Sequence, residues 1–160
     1  MKKLILTLLF FLITLPSCQP REMQNSSDSI ESLARKVLRA VDQNDLNQLD
    51  QLRINRNEFE KYLWKEFPAS RQDVPINFAW DNLNGKTIKG MTRAISDFGG
   101  QSFTLLDVDF ENSVDRYASF KIYPSAVLHV VDRDGKERLL NFCGSVVERN
   151  GEFKFLSYRD

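Results

Sequence analysis

The alternation of apolar and polar positions predicts a β-sheet in the C-terminal part of the chain. After Ser102, apolar runs are separated by two turn signals, Asp134-Gly135 and Asn150-Gly151. Both dipeptides tolerate the positive φ angles that tight hairpins require. Pro124 lies inside one run and marks an edge or a bulge, because it has no N–H to donate to the ladder. The pattern predicts a meander of four strands, over residues 103–110, 117–131, 139–147 and 153–158.

The loop at Asp134-Gly135 decides which side chains share a face of this sheet. A two-residue loop would group the apolar residues of the second strand with Asn141 and Cys143. A three-residue loop, Arg133–Gly135, groups them with Leu140 and Phe142 and gives a wholly apolar face, so we prefer it. The opposite, mixed face then holds Tyr117, Tyr123, His129, Asn141 and Tyr158, together with Cys143 and Ser145.

Helical periodicity before Ser102 predicts helices that cover one face of the sheet. The first begins near Asp28, and a short second helix covers Asp45–Leu52. A third opens at Asn55, where Glu58 completes a capping box. The fourth begins at Pro75 and keeps its period to Phe98, with Gly85 as the place where a break would fall. The predicted fold class is therefore α+β, with N-terminal helices packed on a curved antiparallel four-stranded meander.

The first eighteen residues predict an export signal. Lys2 and Lys3 precede an apolar run, Leu4–Leu15. At roughly a dozen residues this run is too short to span a bilayer, which needs about 20. It ends in Leu15-Pro16-Ser17-Cys18, which resembles the bacterial lipobox. The resemblance implies that Cys18 is acylated and anchors the protein to a membrane of the bacterial cell envelope, facing the periplasm or the exterior. The alternative is an ordinary secretory signal with a chance cysteine.

This assignment divides the chain into a signal peptide (residues 1–18), a flexible polar tether (19–28) and one α+β domain (29–160). Cys143 then has no intramolecular partner, so no disulfide is predicted. The formal net charge of +0 includes Lys2 and Lys3 of the signal, so the mature chain is slightly acidic. A domain without a basic excess does not favour a nucleic-acid partner.

The order of elements from about Ser29 to Tyr158 resembles the nuclear transport factor two-like superfamily, also called cystatin-like α+β. The shared features are N-terminal helices, the short Asp45–Leu52 helix and a long antiparallel meander with a kinked strand. The resemblance implies a sheet curled into a cone, which can enclose a ligand pocket, and pairing of two copies through the sheet. It carries over no catalytic residue, because the superfamily's isomerase and dehydratase motifs have no counterpart in this sequence.

The side-chain chemistry available to the chain is limited, since His129 is its single histidine. The sequence has no metal-ligand spacing, phosphate loop or Ser-His-Asp signature, so no catalytic residue, metal or cofactor is predicted. His129 and Cys143 fall about four strand positions apart, roughly 13 Å, which is too far for a thiol–imidazole pair. Two hypotheses remain. The favoured one is a membrane-tethered, non-catalytic binding module. The alternative is an isomerase- or dehydratase-like enzyme that acts on a small apolar ligand in the cone.

Overall fold

The computed structural model describes residues 21–160, and over this range the chain is α+β, as predicted. The predicted signal peptide and Cys18 lie outside the described residues. The helices come first and the antiparallel strands follow. The helices are α1 (Ile30–Asp42), α2 (Leu46–Gln51), α3 (Arg56–Glu58) and α4 (Ile76–Phe98). A π-helical turn (Phe59–Leu63) and two 3₁₀ turns (Trp64–Glu66 and Pro68–Gln72) connect α3 to α4.

The predicted four-stranded meander is instead seven strands in two antiparallel sheets over the described residues, so a single four-stranded cone is not confirmed. The strands are β1 (Thr104–Phe110), β2 (Asp115–Arg116), β3 (Lys121–Tyr123), β4 (Ala126–Val131), β5 (Glu137–Leu140), β6 (Val146–Arg149) and β7 (Glu152–Phe155). One sheet has the order β1-β4-β5 and the other has the order β2-β3-β6-β7. Two predicted long strands each divide and pass from one sheet to the other. The first divides at Pro124, which cannot donate to a ladder, and at Ser125, which has a φ of 55°.

Both predicted hairpins are confirmed. The Asp132 N–H donates to the Lys136 carbonyl oxygen at 3.0 Å, so the β4–β5 loop has three residues. Gly135 occupies its left-handed position, with a φ of 77°. Leu128 consequently pairs with Leu140, which is the register we preferred. The β6–β7 loop consists of Asn150-Gly151 alone, with φ angles of 51° and 76°.

The helices follow the predicted pattern with small differences at their ends. Ser29 caps α1 in place of Asp28, because its side chain accepts the Ser32 N–H. The predicted capping box is present, with Asn55 and Glu58 each accepting the other's backbone N–H. α4 runs through Gly85 without a break. Its buried residues continue on both sides of this glycine, and tertiary packing of an apolar face outweighs the weak propensity of a single residue.

The helices and sheets enclose two clusters of buried side chains. The main core lies where α1 contacts β1, β7 and α4, and it contains Phe142 and Phe155, both buried as predicted. The second cluster is rich in aromatic residues, and we call it the aromatic cluster. Its members are Met23, Ile54, Phe59, Leu63, Trp80, Phe120, Ile122 and Val147, with Tyr62, Trp64, Phe67 and Tyr117 packed against them.

Residues 22–27 lie against the domain, and we call this segment the strap. Met23 is fully buried in the aromatic cluster. The N–H groups of Glu22 and Met23 both donate to the Glu152 carboxylate at 2.8 Å, and Ser27 pairs with Phe153. The flexible tether predicted over residues 19–28 is therefore wrong for residues 22–27. The apolar side chain of Met23 packs in the aromatic cluster. The Glu152 carboxylate accepts the backbone N–H groups of Glu22 and Met23 beside it.

Candidate functional site

The residues of the predicted mixed face do not share one surface. Tyr158 is buried in the main core, and its hydroxyl donates to the Leu49 carbonyl oxygen at 3.0 Å. Tyr117 packs in the aromatic cluster, stacked on Phe120 with ring centroids 4.4 Å apart. Asn141 is exposed just after β5. The predicted mixed face is therefore not a single surface. Tyr123 and His129 lie in different sheets, and Tyr117, Asn141 and Tyr158 lie outside the named strands.

Tyr123 lies on β3, in the second sheet, and is half-buried. Its hydroxyl donates to the Glu148 carboxylate, which also accepts from the Lys121 ammonium at 2.9 Å. Burial, together with the neighbouring Glu148 carboxylate, raises the pKa of Tyr123 to about 12. The phenol therefore stays protonated at neutral pH and remains a donor to Glu148.

His129 lies on the outer side of the β1-β4-β5 sheet. Alternation along β4 places Leu128 and Val130 in the core and turns His129 outward, opposite Leu139, as the sequence predicted. The His129 Nε2 atom lies 2.9 Å from the Asp109 Oδ2 atom. The pair is open to solvent, so it can contact a partner without any rearrangement of the core.

Two leucines flank this histidine and are unusually exposed. Leu106 is 54% exposed and Leu139 is 64% exposed. Together with His129 they line an open groove of about 350 Å³, completed by Val130, Glu137 and Arg138. Single exposed leucines are common, but large apolar side chains grouped around a groove are typical of contact surfaces. We call the surface formed by Leu106, Asp109, His129 and Leu139 the His129 face.

Of the members of this face, sequence reasoning named only His129 as a site residue, and the position of Leu106 is the one that the strand pattern could not give. Strict alternation along residues 103–110 would place Leu106 on the inner face with Val108 and Phe110. A bulge between Leu105 and Asp107 shifts the register and turns Leu106 outward, while Val108 and Phe110 pack against the core. Neither glycine nor proline stands at this bulge, so the local sequence gives no signal for it.

Cys143 is a fully buried free thiol, whereas the preferred register placed it on the mixed face. It forms an isolated bridge with Tyr158 inside the main core. Burial raises the pKa of the Cys143 thiol. Because the thiolate is the reactive form, this cysteine is predicted to be inert in the folded protein.

A buried ion pair joins Glu58 to Lys154, and the sequence did not predict it. The Lys154 Nζ atom lies 2.8 Å from the Glu58 Oε2 atom, with the side chains 1% and 4% exposed. Burial lowers the pKa of Lys154, and its hydrogen bond to Glu58 opposes this effect. Glu58 also accepts the backbone N–H groups of Gln24 and Asn55. The pair therefore connects the strap, α3 and β7. The capping box pointed to Glu58 but carried no information about its partner in β7.

Within residues 21–160, no group of three or more His, Cys, Asp or Glu side chains is placed to hold a metal ion. No helix in this range is long and apolar enough to cross a bilayer. Comparison of the chain with protein-family models, curated proteins and solved structures gives no match. The described residues thus define an α+β domain of helices followed by two antiparallel sheets, with the His129 face as its candidate contact site.

Proposed function

We propose that this protein is a bacterial envelope lipoprotein, anchored through Cys18, whose domain is a binding module that pairs with a second copy through the His129 face. The exposed leucines on both sides of the His129 groove carry the proposal. The lipobox-like Leu15-Pro16-Ser17-Cys18 supports the anchor. No arrangement of the described side chains favours the isomerase or dehydratase alternative over this function.

A second copy fits the chemistry of this face. Asp109 and Glu137 bring negative charge to it, and Arg138 brings positive charge to the same groove. A surface that carries both signs beside apolar groups complements itself in a two-fold pair, in which each patch meets its own copy. In such a pair, Leu139 of one copy covers the groove beside His129 of the other.

The expected association in solution is weak. Each copy contributes two half-exposed leucines, and burying the rest of each is worth about 1–1.5 kcal/mol, so four contribute about 4–6 kcal/mol. Association itself costs about 4–15 kcal/mol. The leucines therefore leave at most about 2 kcal/mol of net binding. A micromolar dissociation constant corresponds to about 8 kcal/mol, so the polar contacts of the face would have to supply about 6 kcal/mol to reach it. A shared membrane anchor raises the local concentration of the two copies and favours the pair.

Sedimentation equilibrium of the chain beginning at Gln19 tests the pairing. The wild-type chain should associate as its concentration rises, and Leu139→Glu should remain monomeric because it places a charge in the contact. Ile88→Glu is the matched control, since Ile88 is an exposed apolar residue on α4, in a different surface groove. A wild-type monomer at high concentration, or equal disruption by Ile88→Glu, would refute the pairing.

Metabolic labelling with a palmitate analogue tests the anchor. The full-length protein should incorporate the label and fractionate with membranes, because the lipobox-like segment directs acylation of Cys18. Cys18→Ser should abolish the label and release the protein. An unlabelled wild-type protein that is soluble in the periplasm would favour the ordinary secretory signal instead.

A further inference from the structure

The structure points to the orientation of the anchored domain: we propose that the surface around the strap lies against the bilayer that holds the Cys18 lipid. The proposed partner is the polar headgroup layer of that bilayer. This inference rests on the anchor in the proposed function. It adds a limit on the distance between the domain and the bilayer, and it names the face of the domain that contacts the bilayer.

The strap is held to the domain along its length. Glu152 accepts hydrogen bonds from the N–H groups of Glu22 and Met23 and from the Ser26 hydroxyl, at 2.8, 2.8 and 2.9 Å. Ser27 and Phe153 exchange two backbone hydrogen bonds, at 3.0 and 2.8 Å. With Met23 fully buried as well, the chain is fixed to β7 from Glu22 onward.

Covalent geometry then limits the distance between the lipid and the domain. Three residues, Gln19, Pro20 and Arg21, separate Cys18 from Glu22. Four steps of extended chain span at most about 14 Å. A domain of this length has a radius of gyration of about 14 Å, so its far side lies well over 14 Å from the strap. The lipid can therefore reach the bilayer only when the strap side of the domain faces it.

The side chains beside the strap suit a headgroup layer. The Tyr62 hydroxyl donates to the Glu22 carbonyl oxygen at 3.3 Å, and the Lys61 Nζ atom lies 4.8 Å from the Tyr62 ring centroid. The Arg149 guanidinium lies at the same distance from this ring, and Asn150 donates to the Glu22 carboxylate. Tyrosine and the long basic side chains combine an apolar body with a polar tip and favour the membrane–water interface.

The β4–β5 hairpin lies at the other end of the domain. α1 begins at Ile30, shortly after the strap, and its last residue, Asp42, pairs with Arg133 of the hairpin at 3.6 Å. Thirteen residues of helix rise about 20 Å. Lys136, in the same hairpin, is therefore farther from the bilayer than Lys61. The His129 groove includes Arg138, close to this hairpin, so the orientation leaves the groove open to a second anchored copy.

Energy transfer from the domain to a labelled bilayer tests this orientation. The acylated full-length protein is placed in phosphatidylcholine vesicles that carry an acceptor dye on their headgroups. A donor dye is attached to Lys61→Cys or, as the matched control, to Lys136→Cys; buried Cys143 does not compete for the dye. Because α1 lies between the strap and the hairpin and adds up to about 20 Å of height, transfer from position 61 should be about twofold higher or more.

A longer linker provides the second variant. An insertion of about ten Gly and Ser residues between Pro20 and Arg21 adds about 16–19 Å of reach and leaves the strap intact. It should lower transfer from position 61 toward that from position 136, with no change in thermal unfolding. Equal transfer from both positions in the acylated protein, or a difference that survives the insertion, would overturn this inference and leave the anchor standing. Absence of the palmitate label would overturn the anchor and the orientation together.

Discussion

Removing the charge of Lys154 is expected to destabilise the fold strongly, because the ammonium group is buried beside a buried carboxylate. In Lys154→Met the side chain keeps an unbranched apolar stem as far as the Cε atom but loses the ammonium group that lies 2.8 Å from Glu58. Glu58 keeps the N–H groups of Gln24 and Asn55, yet its carboxylate stays buried, with only 4% of the side chain exposed. A buried charge without its partner costs about 3–5 kcal/mol, and we expect the free energy of unfolding to fall by that amount.

A double variant separates two contributions to the loss of stability: the unpaired charge of Glu58 and the lost packing of the Lys154 side chain. Glu58→Gln combined with Lys154→Met removes both charges and keeps an oxygen that can accept a backbone N–H. Most of the expected loss comes from the uncompensated carboxylate. The double variant should therefore be more stable than Lys154→Met alone by about 1 kcal/mol or more, which is a non-additive result typical of groups in contact.

Urea unfolding at neutral pH, followed by the fluorescence of Trp64 and Trp80 in the aromatic cluster, measures these differences. Lys121→Met is the matched control, because it breaks a Lys–Glu pair whose side chains are 36% and 18% exposed. Such a pair contributes about 0–1 kcal/mol. A loss below about 1 kcal/mol in Lys154→Met, no larger than in the control, would show that water reaches Glu58 and would refute the reasoning.

Three further predictions concern the core and the β4–β5 hairpin. Phe155→Ala should cost about 3–5 kcal/mol in urea unfolding, because Phe155 is buried, and a change within error would count against the core described above. Cys143 should react with a thiol reagent only after unfolding, since burial blocks access and raises its pKa; rapid reaction of the native protein would contradict this. Hydrogen bonds from Arg138 and from the Lys136 N–H hold the pKa of Asp132 below its usual 3.8. This group therefore stabilises the fold above pH 3.8, and its contribution is lost as the pH falls through the lowered pKa. Asp132→Asn should be less stable above that pH and approach the wild type on acidification, whereas parallel curves would refute the assignment.

The features that could be predicted are those that depend on residues close together in the chain. The three-residue loop ending at Gly135 and the Asn150-Gly151 turn follow from the backbone angles that these residues allow. The Asn55–Glu58 capping box involves only four consecutive residues. These local signals were sufficient to predict the helix order, both hairpins and the outward position of His129.

The division of the long strands depends on contacts that are distant in sequence. Pro124 indicated one break, but the second break, between β5 and β6, contains no proline. It contains Gly144, where a Cβ atom would lie 2.4 Å from the Ser157 Oγ atom. Glycine inside a predicted strand marks such a close approach, so this residue was a readable signal for the break. The grouping of Tyr117 with Tyr158 failed because it assumed unbroken strands.

The strap and the buried ion pair share one acceptor, which links the stability of the domain to its orientation. Glu58 holds Lys154 from β7 and the Gln24 N–H from the strap. In Lys154→Met this carboxylate is a buried charge without its partner, and exposure to water would lower its free energy. The strap contacts the carboxylate through the Gln24 N–H, so movement of the strap is one way to expose it. We therefore expect the strap to loosen before the domain unfolds.

In the vesicle experiment, energy transfer from Lys61→Cys should fall toward that from Lys136→Cys when Lys154→Met is added, at temperatures where the circular dichroism of the variant is still native. If transfer from position 61 holds until the whole domain melts, Met23 and Glu152 suffice to fix the strap, and Glu58 has no part in the orientation.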